Sequence, residues 1–360
     1  MKLWIAAGGT GGHISPGCAI AEMMAEQQHE IVFITLSKNS QYADIQRIRN
    51  KQNIQVFEID APTLSFHPVK AFRSLRLHFA SQKQLSLLYK NHPAKVVLGM
   101  GGFPTFPPLY FAKRKKIPIL MSEQNAFPGI VTRVFAKAAA KIYLAFPVEK
   151  TVGMQKYGQK CLHAGNPLRE MFRSQKVTVK GKWPPRRILL VGGSQGSLHM
   201  NELYLAIKDS PLLKDIQITI STGHDKFERV KAHARETDTV VPFLEDMASA
   251  YLKADLIVAR SGSGTLFELV WSRKPAILLP FPFATNDHQR ANANVLKESG
   301  QAQIIDVRPW HTEQACEQFL EILKSNYFDN FLNSVFETEG HILPLNGHSL
   351  IVDDILKNYS

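Results

Sequence analysis

Short apolar runs alternate along the chain with longer stretches of helical period. Residues 3–7 read as a buried strand, and residues 15–27 carry Ile20, Met23 and Met24 at helical spacing. Apolar runs at 31–35, 96–98, 117–121 and 141–145 continue the series. After a polar, then proline-rich passage at 180–185 the same grammar returns. Residues 187–191 predict a strand, 192–196 a glycine-rich loop and 197–208 a helix. Strands at 216–221, 239–241, 256–259 and 276–279 follow. The last segment, 347–359, sets Leu350, Ile351, Ile355 and Leu356 on one helical face. Strands alternating with helices predict parallel sheets with helices on both faces. The repeated opening predicts two such domains.

The two openings share Gly-Gly-[Ser/Thr]-x-Gly, at 8–12 and 192–196, each directly after a strand. Glycines let a backbone approach a ligand closely, and free N–H groups at the next helix start attract anions. The spacing excludes a dinucleotide fingerprint, because Ile14 falls where its third glycine is needed, and no phosphate-loop Gly-Lys-[Ser/Thr] ending occurs. Two matched clusters at strand ends suit a ligand that spans two domains.

Length and charge narrow the class. At 360 residues with 44% hydrophobic composition, the chain can bury two cores. Three widely spaced cysteines make neither a disulfide framework nor a zinc pattern and suit a reducing cytoplasm. The first apolar run is too short for a signal peptide, and no stretch reaches transmembrane length, so a soluble or peripheral protein is expected. Residues 1–150 hold 19 Lys and Arg against 8 Asp and Glu, while the remainder holds 24 against 23. A solvated basic surface is the plainer reading. With no nucleic-acid motif present, an anionic membrane is the preferred partner. Residues 70–90 add Leu75, Leu77, Phe79, Leu85, Leu87 and Leu88 interleaved with Lys70, Arg73, Arg76 and Lys83. Such a helix can lie on a membrane, pack on the sheet, or do both with different residues.

The polar residues at strand ends supply candidate chemistry. His13 closes the first loop, where it can act as a general base or simply cap the loop. Ser122-Glu123-Gln124-Asn125 is read as a loop after the 117–121 strand, with Asn125 suited to sugar hydroxyls and Glu123 to orienting a neighbour. Arg169, at the passage between domains, can clamp a diphosphate. The stretch Arg260-Ser261-Gly262-Ser263-Gly264-Thr265-Leu266-Phe267-Glu268 is read as a second phosphate turn, with the Glu268 carboxylate available to ribose hydroxyls. Asp287 and Gln289 suit a hexose. Together these positions describe a pocket for a uridine-diphosphate sugar. No Asp-x-Asp metal motif occurs, so no obligatory metal or other cofactor is expected.

These motifs, in order over nearly the whole chain, resemble the MurG family of peptidoglycan glycosyltransferases. The resemblance rests on Gly8-Gly9-Thr10-Gly11-Gly12-His13, Leu98-Gly99-Met100-Gly101-Gly102-Phe103, Glu123-Gln124-Asn125, Gly165-Asn166-Pro167-Leu168-Arg169, Gly192-Gly193-Ser194-Gln195-Gly196, Arg260-Ser261-Gly262 with Thr265 and Glu268, and Asp287 with Gln289. It implies an α/β GT-B fold: two Rossmann-like parallel-sheet domains with a deep interdomain cleft. The domains would be 1–165, with a helix at 345–360 packing back on it, and 166–344. It implies inverting transfer of N-acetylglucosamine from UDP-N-acetylglucosamine to undecaprenyl-diphosphate-linked N-acetylmuramoyl-pentapeptide (lipid I), at the cytoplasmic face of the inner membrane, with no nucleic acid involved. By position, Thr10, Gly11, Gly12, Asn125, Arg169, Ser194, Leu244, Ser263, Gly264, Thr265, Leu266, Phe267, Glu268 and Gln289 would contact the donor, and His13 would be the base. The membrane patch would map near 70–90. The chain departs from the family at Ser122, usually His, at Phe103, usually Tyr, at Ser263, usually Ala, and in its prolines at 104–108. Rival readings are another UDP-sugar enzyme on this scaffold (a diacylglycerol transferase or a UDP-N-acetylglucosamine 2-epimerase) and a non-catalytic nucleotide-sugar-binding membrane protein.

Overall fold

The computed structural model describes residues 1–60, 68–177, 182–193, 196–334 and 343–360, with side chains left out at 68–75 and 285. The chain divides into two compact units. Unit 1 is Met1–Arg169 with Pro344–Ser360, and unit 2 is Glu170–Leu343.

Unit 1 holds seven strands: β1 (Lys2–Ala6), β2 (Glu30–Leu36), β3 (Ile54–Ile59), β4 (Val96–Gly99), β5 (Ile119–Glu123), β6 (Lys141–Leu144) and β7 (Cys161–His163). All pair in parallel, in the order β3-β2-β1-β4-β5-β6-β7. Successive strand side chains point to opposite faces, and β1 shows the result. Leu3 and Ile5 enter one core with Ile14, Cys18 and Ile20 of the Gly11–Glu26 helix. Trp4 and Ala6 enter the other, with Leu85, Leu88 and Leu109. A strand buried on both faces must be apolar throughout, which is why β1 reads as a continuous run. The Gly347–Tyr359 helix adds Ile351, Val352 and Ile355 to the first core. It is tied down by Tyr143, whose hydroxyl donates to Asp354 at 2.8 Å. Burial, reinforced by that carboxylate, pushes the Tyr143 hydroxyl well above its usual pKa.

Unit 2 holds β8 (Arg187–Val191), β9 (Gln217–Ser221), β10 (Thr239–Val241), β11 (Leu256–Ala259), β12 (Ala276–Leu278) and β13 (Ala302–Ile304), also parallel, in the order β10-β9-β8-β11-β12-β13. Ile188, Leu190, Leu256 and Val258 share one core with the Leu198–Ile207 and Thr312–Lys324 helices.

In both sheets the strand order reverses once. The reversal lies between β1 and β4 in unit 1 and between β8 and β11 in unit 2. The connections after these strands leave to opposite faces and open a crevice at the strands' carboxyl ends. The glycine-rich segments 8–12 and 99–102 flank the first crevice, and Gly192, Gly193, Gly196 and the segment 260–264 flank the second.

Two local expectations are corrected. The first helix begins at Gly11, not at 15, so Gly11, Gly12 and His13 form its first turn. First-turn N–H groups have no partner inside a helix, so glycine costs little there. Ser122 and Glu123 are the last residues of β5 rather than loop, and both are buried. The prolines at 104–108 belong to the Phe103–Thr105 turn and the start of the Phe106–Lys115 helix, where a missing N–H removes no intrahelical bond.

Candidate nucleotide-sugar site

In unit 1, β1 delivers the chain to Thr10, the N-cap of the Gly11–Glu26 helix. Thr10 has extended dihedrals, and its side chain makes no capping hydrogen bond. The first-turn N–H groups are therefore left without a side-chain acceptor, and Gly11 has no atom within 4 Å of where a Cβ would stand. An anion fits such a helix start.

His13 is set beside this start. Its Nδ1 lies 3.0 Å from Gln124 Oε1. The other wall is the backbone after β4, where Gly101 and Gly102 both take positive φ, +84° and +76°. A Cβ on Gly101 would come 3.3 Å from the His13 ring, and one on Gly102 would come 3.0 Å from it and 2.6 Å from the Gly8 carbonyl. Both glycines are needed, for the dihedrals and for the room the imidazole takes.

Glu123 orients its neighbours by four hydrogen bonds. Its carboxylate accepts from the Asn125 amide at 3.0 Å, Asn125 Nδ2 at 3.3 Å, the Gly129 amide at 3.0 Å and Thr132 Oγ1 at 2.6 Å. Asn125 is thus held at the end of β5. Phe103 stacks on Phe106, and Phe106 on Tyr110. Arg169 ends unit 1 and is half-buried.

In unit 2 the two glycine-rich segments play different parts. After β8, a Cβ on Gly192 would lie 2.4 Å from the Ser197 amide, and one on Gly196 would lie 2.2 Å from the Thr222 carbonyl. These glycines permit tight packing. The following helix is capped by its own Ser197, which accepts from the Met200 amide. Ser194 lies outside the described residues. After β11, Gly262 caps the Ser263–Ser272 helix without any side-chain acceptor, and Gly262 and Gly264 have open space where a Cβ would be. The expected turn at 263–268 is therefore the first part of a helix. Ser263 is buried, and Gly264 and Thr265 are half-buried. Leu266 and Phe267 send their side chains into the core, leaving only backbone for a ligand. Glu268 is buried, with Tyr251 Oη 3.5 Å from its Oε2.

Arg260 adds a cation beside this helix start. Its Nη1 donates to the carbonyls of Leu279 and Pro280 at 3.0 and 3.2 Å, and its guanidinium lies over the Phe281 ring. Burial pulls it down to about 10, so it remains charged at neutral pH. Ser261 Oγ is buried with no hydrogen-bond partner among the described residues. Gln289 Oε1 accepts from the Phe281 amide at 2.9 Å. Leu244 is half-buried just before the Met247–Lys253 helix.

Asp287 does not stand free for a hexose. Arg308 Nη2 reaches it at 2.9 Å, while Arg308 and Arg290 both bind Asp306. This ion network braces Asn286 and Asp287, which both hold left-handed dihedrals, φ 54° and 53°, just before Gln289. The sequence drew attention to Asp287 for its carboxylate, but that carboxylate is engaged in shaping the turn. Gln124, Gly101, Gly102 and Arg260 were within quoted motifs but carried no individual role. For Gln124 the usable signal was a polar residue at a strand's carboxyl end near the switch point. Among the described residues no group of three or more His, Cys, Asp or Glu is placed to hold a metal ion.

Two parallel sheets, each with an uncapped helix start at its switch point, make a doubly wound α/β protein with an anion-receptive crevice in each unit. Residues 3–144 match the glycosyltransferase family 28 N-terminal domain and residues 187–334 its C-terminal domain. Two relatives, from Hydrogenovibrio crunogenus and Geobacter sulfurreducens, are 31% and 32% identical. Each alignment covers 99% of this chain, with 97% and 98% of the respective relative. Both relatives are named UDP-N-acetylglucosamine–N-acetylmuramyl-(pentapeptide) pyrophosphoryl-undecaprenol N-acetylglucosamine transferase. The crystal structure of Acinetobacter baumannii MurG is similar with TM-score 0.73 and 26% identity over 99% of both chains. A putative UDP-N-acetylglucosamine 2-epimerase from Listeria monocytogenes shares the fold, with TM-score 0.68 at 10% identity. The chain belongs to glycosyltransferase family 28.

Proposed function

We propose that this chain moves N-acetylglucosamine from UDP-N-acetylglucosamine to the C4 hydroxyl of the N-acetylmuramoyl sugar of lipid I, forming lipid II for peptidoglycan. The observation that carries the reading is the end-to-end likeness to relatives named for that transfer. Unit 2 takes the donor. Its diphosphate lies at the Ser263–Ser272 helix start, near Arg260, with Glu268 on the ribose and Leu244, Ser194 and Gln289 among the further contacts. Unit 1 takes the acceptor and supplies Thr10, Gly11, Gly12, Asn125 and Arg169 toward the donor. The acceptor hydroxyl loses its proton to His13 as it attacks the anomeric carbon, and UDP departs from the opposite side. Charge gathering on UDP is met by helix N–H groups and by arginine.

The acceptor's lipid requires a membrane-facing surface. On the Pro68–Asn91 helix, Ser81, Gln82, Leu85 and Leu88 pack inward, while Arg76, Phe79, Lys83, Leu87 and Lys90 are exposed at spacings of three and four. Apolar and basic side chains alternating on one helical face suit an anionic bilayer. Lys70 and Arg73 fall among the side chains not described. No helix among the described residues is long and apolar enough to cross a membrane. The exposed apolar and basic face supports peripheral attachment, here assigned to the cytoplasmic face of the cell membrane, with three free cysteines in keeping with that compartment.

The test offers radiolabelled UDP-N-acetylglucosamine to lipid I and to diacylglycerol in separate vesicles. Label is expected on lipid I alone. Label on diacylglycerol alone, or conversion of the donor to its C2 epimer, would overturn the reading.

A further inference from the structure

The hydrogen bonds around His13 carry more than its position. Gln124 is almost fully buried, and its Nε2 lies 3.0 Å from the Ser122 carbonyl and 2.9 Å from Ser122 Oγ. A carbonyl only accepts hydrogen bonds, so the atom facing it must be the amide nitrogen. That fixes the orientation of the side chain and turns Oε1 toward His13. Oε1 likewise only accepts, so the imidazole nitrogen 3.0 Å away, Nδ1, must carry the proton. In the neutral ring Nε2 is then the nitrogen with the free lone pair. The ring cannot turn over to exchange its nitrogens without moving through the space beside Gly101 and Gly102.

We propose that Gln124 is a positioning residue that holds His13 in the Nδ1-protonated tautomer, with Ser122 holding Gln124, so that Nε2 is presented as the proton acceptor. The proposal deepens the transfer reading above and rests on it for the identity of the proton. When Nε2 takes the acceptor's proton, the ring becomes a cation, and the Gln124 carbonyl dipole already faces its Nδ1–H. Gly101, Gly102 and Gln124, which lie against the ring, are themselves neutral. The nearest carboxylate along the chain, Glu123, is turned to Asn125, Gly129 and Thr132. Ser122 is therefore tied to the base through one intervening amide.

The direct test needs no activity. The full chain is labelled with 15N-histidine and its imidazole nitrogens are read by NMR at a pH where the ring is neutral, with His13 assigned by the signal lost in His13→Asn. The Nδ1–H tautomer is expected, against the Nε2–H form that free histidine prefers, and Gln124→Met is expected to shift His13 toward Nε2–H. An Nε2–H tautomer in the parent would overturn the proposal. Kinetics give a second reading. Gln124→Met is expected to lower kcat about 10- to 100-fold, part of the ~10²–10⁴ that a positioned base supplies, with the donor KM within about twofold. Gln124→Glu, which keeps an acceptor oxygen, should restore part of that loss. Unchanged kcat in Gln124→Met, with His13→Asn inactive, would overturn this proposal alone. A parent enzyme that never labels lipid I would instead overturn the transfer reading, while the tautomer still decides the role of Gln124.

Discussion

The switch points of the two units are built from similar sequence and do different work. At the first, the helix after β1 starts uncapped, its leading glycine faces open space, and His13 stands at its side. At the second, the corresponding helix after β8 is capped by Ser197, and a Cβ on Gly192 or Gly196 would fall 2.2–2.4 Å from neighbouring backbone. The uncapped start is displaced to the next loop of the crevice, after β11, where Gly262 and Gly264 face open space. A repeated glycine motif thus records a shared turn. Which copy can meet a ligand depends on what each missing Cβ would touch and on whether a side chain has already occupied the helix N–H groups.

The contrast can be broken by substitution, and the largest effect is expected at Gly196. Gly196→Ala forces a side chain at φ +72° into the Thr222 carbonyl. It should destabilise unit 2 by about 3 kcal/mol, seen as a lower midpoint of chemical unfolding. Glu268→Gln comes next. If its carboxylate binds the ribose, losing the charge-assisted bond costs about 1.5–3 kcal/mol, raising the donor KM about 10- to 100-fold. Gly264→Ala should separate packing from binding. Stability should stay within about 1 kcal/mol of the parent, because alanine is the better helix former, while the donor KM rises severalfold. A Gly264→Ala protein that bound donor normally would place the diphosphate elsewhere. The smallest effect is expected for Arg308→Ala. Its half-exposed ion pairs contribute at most about 1 kcal/mol, and its readout is a donor KM raised two- to threefold as the turn before Gln289 loosens.

Much of this was legible in the chain itself. Central strands are buried on both faces, so β8 and β11 stand out as apolar runs and their bounds match the sequence reading. The strands that went unread, β3, β7 and β13, are all at sheet edges. An edge strand pairs on one side only and stays partly exposed, as at Gln55 and across Cys161–His163, so its apolar signal is weak. The early start of the first helix was hidden because Gly11 and Gly12 read as part of the loop, although the first turn needs no N–H donors. Among the site residues, His13 was marked by its place after the loop. Its partner Gln124 was not, since the bond joins residues 111 apart in sequence. Asp287 was legible as a polar residue near the site, but its ion pair with Arg308, 21 residues away in sequence, turns it into a brace.

The division of labour between the two switch points is tested most directly by His13→Ala. Donor affinity would be measured by calorimetric titration and transfer by single turnover on the same preparation. UDP-N-acetylglucosamine should bind within about threefold of the parent, while the rate of transfer to lipid I falls by about 10²-fold or more. Transfer at the parental rate with the donor bound normally would contradict the account, because the first switch point would then supply no base.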